Sequence, residues 1–219
     1  MKYKTALFDL DGTLTDPKEG ITKSVRYALN HFSIEVKDLD ELTKFIGPPL
    51  RDSFREFYNF SEKEAEEAVS KYREYFTEKG IFENTLYSGT IDMLDKLKSG
   101  NITMLIATSK PTLYAKKIAE HFKFANYFDF IAGSELDGRR SLKNEVIDYA
   151  LKSVSCSQKK PPIIMIGDRK HDITGAKEMG INSIGVTWGY GSRTELEEAG
   201  ATQIADCMEE LCRLVLYGE

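Results

Sequence analysis

Thr5-Ala6-Leu7-Phe8-Asp9-Leu10-Asp11-Gly12-Thr13 is a short apolar run that leads into two aspartates two residues apart, then glycine and threonine. A buried strand normally ends at its first charged residue, so Asp9 is expected at the carboxyl tip of a strand. In a parallel α/β sheet that tip borders the ligand crevice. Residues i and i+2 of an extended chain point the same way, which would turn both carboxylates toward one site, and Gly12 then lets the backbone turn sharply. Two crowded carboxylates repel unless a cation or a shared proton intervenes, so the pair points to a metal or to an acid/base couple. The plain alternative is an ordinary strand end closed by a D-x-D-G turn.

Working outward, a polar turn at Thr15-Asp16-Pro17-Lys18 precedes apolar residues at helical spacing from Glu19 to about Phe32. Two more short helical patterns follow, interrupted by Gly47-Pro48-Pro49. Ser61-Glu62-Lys63-Glu64 has the capping-box pattern and opens a helix to about Lys79, with Gly80 as its stop. No strand-like run appears between about residues 15 and 85, so this block reads as a helical insertion. From Leu86 helices and apolar strands alternate. The strands fall at Ile102–Ala107, Phe128–Ala132, Ile163–Ile166 (opened by Pro161-Pro162) and Ile181–Val186. A Gly/Trp/Tyr loop and a C-terminal helix follow the last of them. That alternation implies an α/β fold: a Rossmann-like parallel sheet with right-handed crossovers, residues 1–14 and 86–219, carrying a small helical cap, residues 15–85.

With 219 residues the chain is long enough for such a core plus a smaller lobe. A net charge of −5 without a dense basic stripe argues against a nucleic-acid polymer as partner. Cys156, Cys207 and Cys212 are odd in number and lack zinc-ligand spacing, which reads as free thiols in a reducing compartment. The first apolar run is too short for a signal peptide, and no stretch approaches a membrane span, so a cytoplasmic location is expected.

The later strand tips repeat the polar pattern. Thr108-Ser109, with Lys110-Pro111, is read as opening a helix, where backbone N–H groups would seat a phosphate, although such hydroxyls also serve as plain caps. Gly167-Asp168 ends another strand, and Asp172 lies one helical turn on, a spacing that suits Mg²⁺ coordination or a capping aspartate beside a surface acid. Lys143, at a helix start, would draw several aspartates and a phosphate together, against the ordinary reading of a solvated lysine.

Together these stretches resemble the haloacid-dehalogenase-like superfamily of phosphotransferases. Its motifs read here Asp9-Leu10-Asp11-Gly12-Thr13-Leu14, Thr108-Ser109-Lys110, Lys143 and Gly167-Asp168-Arg169-Lys170-His171-Asp172, in order and spanning nearly the whole chain. The helical insertion resembles the small cap of the phosphoglycolate phosphatase-like branch. Asp16 and Phe45-Ile46-Gly47-Pro48-Pro49-Leu50-Arg51 are similar to its 5′-nucleotidase and phosphoglycolate phosphatase members.

The resemblance implies a Mg²⁺-dependent phosphatase acting on a small phosphomonoester. Asp9 would be the nucleophile and Asp11 the general acid and later base. Thr108, Ser109 and Lys143 would bind phosphate. Asp9, the Asp11 carbonyl, Asp168 and Asp172 would hold the metal. Asp11 argues for phosphate esters over carbon–halogen bonds. Lys44 and Arg51 in the cap are candidates for the leaving group. A sugar-phosphate mutase of the β-phosphoglucomutase type and a pyrophosphatase stay open as alternatives. The expected partner is a small phosphorylated metabolite, and the default state is a monomer, with a dimer as the alternative. His31, His121, His171, the Trp188-Gly189-Tyr190-Gly191 loop and the aromatic pairs of the insertion read as structural.

Overall fold

The computed structural model describes residues 2–154 and 162–218, so Cys156 and Pro161 lie outside the described residues. In chain order the elements begin with β1 (Thr5–Phe8), β2 (Thr15–Asp16), α1 (Lys18–His31), α2 (Leu50–Tyr58), α3 (Glu62–Tyr75) and β3 (Thr85–Leu86). They continue with α4 (Thr90–Ser99), β4 (Thr103–Pro111), α5 (Thr112–His121), β5 (Phe130–Ser134), α6 (Lys143–Ser153) and β6 (Ile163–Gly167). The chain ends with α7 (Lys170–Glu178), β7 (Asn182–Val186), α8 (Arg193–Ala199), β8 (Gln203–Ala205) and α9 (Met208–Leu216). The chain forms two compact units, Met1–Thr15 with Leu86–Glu219, and Asp16–Thr85.

The first unit holds a six-stranded sheet in the order β5-β4-β1-β6-β7-β8, in which the neighbouring strands pair in parallel. β1 is central because its four residues are all buried, as a strand covered on both faces requires. Phe8 pairs with Ile106 of β4 and Ile166 of β6, so the residues that follow all three strands emerge at one edge of the sheet. Within the sheet, Leu7, Leu105 and Met165 share a buried cluster with Val146, Ile147 and Ala150 of α6. The fold is α/β: a parallel sheet flanked by helices, with its crevice beyond the carboxyl ends of the central strands.

Three expectations need correction. β4 does not stop at Ala107 but runs on through Thr108-Ser109-Lys110 to Pro111, and α5 starts only at Thr112. The continuation is held by pairing with β5 across a register shift between Ala107 and Pro111. Next, the stretch after β7 contains α8 and β8 as well as the terminal helix α9, and β8 is only three residues long. Finally, strand does occur at the edges of the helical block, since β2 and β3 pair as a separate two-stranded ribbon.

The second unit, Asp16–Thr85, contains α1, α2 and α3 with a 3₁₀ turn at Leu39–Phe45. The Ser61 capping box closes in both directions, Ser61 N donating to Glu64 Oε2 at 2.8 Å and Glu64 N to Ser61 Oγ at 3.3 Å. α3 ends at Tyr75, and a π turn, Phe76–Gly80, completes the expected span. Phe45 packs edge-on against Phe54 and Phe57, and Tyr72 stacks on Phe76. These aromatics are interior packing of that unit.

Candidate active site

β1 ends at Phe8, and Asp9 N still donates to Ile166 O at 2.8 Å, so the ladder continues one residue past the strand. The backbone then folds tightly: Leu14 N and Thr15 N both donate to Leu10 O, at 2.9 and 3.1 Å. Asp11 therefore leads into a tight turn, Gly12–Leu14, and bridges to Thr15 on its far side. Gly12 is required there. It has φ +85°, and a Cβ on it would stand 2.2 Å from Asp168 Oδ2.

Asp9, Asp168 and Asp172 are buried, and each offers a carboxylate oxygen within 4.8 Å of the others'. Lys143 Nζ reaches Asp9 Oδ1 at 2.9 Å, Asp172 Oδ1 at 2.7 Å and the Ala107 carbonyl at 3.1 Å. Asp168 is held from two directions, by Thr13 Oγ1 at 3.2 Å and by Tyr190 N at 2.8 Å. Arg169 N donates to Asp172 Oδ2 at 3.0 Å. Asp11 Oδ2 pairs with Lys110 Nζ at 2.6 Å, while its Oδ1 is buried without a hydrogen-bond partner among the described residues.

Burial, then repulsion from Asp172 and Asp9, holds the Asp168 carboxyl well above the usual carboxylate range. Burial pushes Asp172 up to about 6, against the pull of Lys143. Asp11 is likewise raised by burial, with Lys110 opposing. For Lys143, burial works against the charge, but Asp172 and Asp9 outweigh it and raise its pKa.

A pH dependence of stability follows. In the metal-free protein Asp172 keeps a proton in the folded state that the unfolded chain has already released. Its stabilising contribution is full below the ordinary carboxylate value and is lost as pH rises through about 6. His171 acts in the opposite sense, because burial and then Arg169 lower its pKa. Comparison with Asp172→Asn isolates the aspartate. Between pH 5 and pH 7 the urea midpoint of the unsubstituted chain should fall relative to that of Asp172→Asn. Parallel midpoints would refute the assignment.

The remaining sequence candidates fall as follows. Thr108 is buried, and its Oγ1 accepts from Lys110 N at 3.2 Å, while the Ser109 carbonyl accepts from Ser134 Oγ at 2.8 Å. Both lie in β4, so their neighbourhood is a strand extension and not the helix start expected for them. In the helical unit Lys44 Nζ sits 4.5 Å from the ring centre of Phe57, and Arg51 Nη2 is 3.1 Å from Glu66 Oε1. His31 Nε2 meets Glu67 at 2.7 Å. Cys207 and Cys212 are free thiols.

Sequence reasoning gave no role to Thr13, Lys110 or Tyr190. From sequence the Trp188–Gly191 loop reads as core packing or a structural turn, with the edge of the site as the alternative. In fact that loop closes on the site, with Trp188 Nε1 on the Thr13 carbonyl at 3.1 Å and Tyr190 N on Asp168. The signal for Lys110 was its place beside Thr108-Ser109. Nothing in the sequence signals the backbone contact of Tyr190.

The donor set suits a divalent cation. Three buried acids lie together, Lys143 reaches two of them, and burial drives the carboxyls of Asp168 and Asp172 toward protonation. Among the described residues no helix is long and apolar enough to cross a membrane.

Comparison with known proteins agrees with this geometry. The family model described as haloacid dehalogenase-like hydrolase matches residues 6–186. A 5′-nucleotidase of Pseudomonas aeruginosa is 47% identical over 196 residues, 90% of this chain and 88% of that protein. Tyrosine-protein kinase PtkA of Mycobacterium tuberculosis is 36% identical over 198 residues, 90% of this chain and 67% of the kinase. The crystal structure of a predicted phosphatase from Clostridium acetobutylicum superposes with a TM-score of 0.94 at 51% identity, covering 99% of each chain. The chain belongs to the haloacid dehalogenase-like hydrolase family, and to the phosphatases within it.

Proposed function

We propose that this protein is a Mg²⁺-dependent phosphatase that hydrolyses a small phosphomonoester through an aspartyl-phosphate. The observation that carries the reading is the pairing of two aspartates two residues apart with different lysines, Asp9 with Lys143 and Asp11 with Lys110. Asp9 and Asp11 are thereby suited to different work. Asp9 attacks phosphorus in line and accepts the phosphoryl group as an acyl phosphate. Lys143, with Thr108 and Ser109, offsets charge on the transferring group. Asp11 gives a proton to the departing oxygen and then takes one from the water that splits the aspartyl-phosphate. Its raised pKa, caused first by burial, fits a group that must carry that proton near neutral pH.

Asp9, Asp168 and Asp172, with the Asp11 carbonyl, would hold Mg²⁺. The ion would supply positive charge that lets an anionic ester approach the acids. The nucleotidase relative supports a nucleoside monophosphate as the preferred ester, with phosphoglycolate second. A small phosphorylated metabolite, and not a nucleic-acid polymer or a membrane, is the partner in this reading, and the protein works as a monomer. Lys44 and Arg51 are proposed to contribute to recognition of the leaving group.

The test is phosphate release from a panel containing nucleoside monophosphates, phosphoglycolate, pyrophosphate and a sugar phosphate. Chelation by EDTA should lower release by at least about 10²-fold, with recovery on adding Mg²⁺, and nucleoside monophosphates should lead the panel. Release that ignores chelation would refute the metal dependence. Conversion of the sugar phosphate to an isomer without free phosphate would replace the hydrolase by the mutase.

A further inference from the structure

We infer that Lys110 is a positioning residue for the Asp11 carboxylate, fixing it for transfer of the proton between the leaving oxygen and the attacking water. The inference rests on the proposed proton-transfer role of Asp11 and adds to it a residue that the reaction has not so far needed.

Lys110 is delivered by an irregularity in the sheet. Ala107 pairs with Ala132 and Pro111 with Ser134, so the β4 segment between them is longer than the β5 segment it faces. Such a bulge re-aims side chains that a regular strand would alternate. This one is pinned at several points. Lys110 N donates to Thr108 Oγ1, Ser134 Oγ to the Ser109 carbonyl at 2.8 Å, and Gly133 N to Thr112 Oγ1 at 3.1 Å. Gly133 admits the fold-back, because a Cβ there would stand 2.2 Å from the Lys110 carbonyl. Three polar contacts and a glycine thus serve a single re-aimed residue.

The pair that results is enclosed. Lys110 Nζ lies 2.6 Å from Asp11 Oδ2, with the two side chains only 6% and 10% exposed. A solvent-exposed pair at this distance would carry little weight, but burial makes both the charge and the geometry consequential. The two buried lysines of the site divide its acids: Lys143 serves Asp9 and Asp172, and Lys110 serves Asp11. Asp11 lies beyond β1, joined to Thr15 by a single bridge outside the six-stranded sheet. Lys110 braces the side chain through one oxygen, Oδ2, and the other, Oδ1, has no hydrogen-bond partner among the described residues. A carboxyl tethered at one oxygen and unengaged at the other is preorganised to exchange a proton at the second.

The experiment compares Lys110→Met, Lys110→Arg and Asp11→Asn on p-nitrophenyl phosphate, whose leaving group needs no proton, and on an alkyl phosphomonoester, whose leaving group does. Asp11→Asn should lose at least about 10²-fold more kcat on the alkyl ester than on the aryl ester. Lys110→Met should reproduce that bias at about 10-fold or more with KM within about twofold of the unsubstituted enzyme, and Lys110→Arg should recover part of it. Lys110→Gln, which keeps a polar end in the buried position, carries the same expectation if the methionine variant is unstable. Equal losses on both esters in the Lys110 variants, or a rise in KM alone, would overturn the inference while leaving Asp11 as the acid. Absence of bias in Asp11→Asn itself would overturn both.

Discussion

Asp9→Asn should lower phosphate release by at least about 10³-fold while leaving the fold intact. An amide matches the carboxylate in shape but cannot form the acyl phosphate, so the loss should lie in kcat and not in KM. Stability should hold or rise. Asp9 lies among the carboxylates that drive Asp168 toward protonation, so removing its charge relieves that repulsion. The cost is the contact with Lys143, which keeps Asp172 and the Ala107 carbonyl. Phosphate release under Mg²⁺ saturation, with a urea midpoint on the same preparation, checks both halves. Activity within tenfold of the unsubstituted enzyme would mean that Asp9 is not the nucleophile.

Lys143→Met should be the more damaging change for the molecule as a whole. The ammonium is about as buried as its partners, and it is the group that holds Asp9 and Asp172 in one place. Removing one member of a buried ion network leaves the others uncompensated, at a cost of about 3–5 kcal/mol. Loss of charge stabilisation on the phosphoryl group should lower kcat by about 10²–10³-fold in addition. Mg²⁺ should recover part of the stability, since it brings charge to the same carboxylates, but little of the activity. Denaturant midpoints with and without Mg²⁺ separate the two effects. A midpoint unchanged from that of the unsubstituted chain would show that the lysine bears none of the acids' charge.

The parts of the site that could be read from sequence are those set by chain-local patterns. The apolar run into Asp9, the run into Gly167-Asp168 and the i+4 spacing to Asp172 each announce a strand tip or the turn after it, and the sheet brings these tips to one edge. The parts that could not be read depend on partners far along the chain. Thr108-Ser109-Lys110-Pro111 has the look of a helix opening, and only pairing with β5 keeps it in the sheet. β2 is two residues long and exists because β3 lies beside it. β8 has only three residues and depends on β7, with Gly185 paired to Ile204. Tyr190 acts through its backbone N–H, a group every residue but proline carries, so its identity announces nothing.

The position of β1 also bears on how the chain is made. Phe8 pairs with Ile106 on one side and Ile166 on the other, so the central strand is synthesised before either neighbour. At 5–20 residues per second, roughly 8–30 s separate the emergence of Phe8 from that of Ile166. Through that interval the apolar segment Thr5–Phe8 has at best one flank covered, and its other edge offers unpaired backbone to any strand nearby. Such non-local pairing is slow to form in the finished chain as well. What shields those four residues until Ile166 emerges is a kinetic matter that the stability of the completed sheet does not reveal.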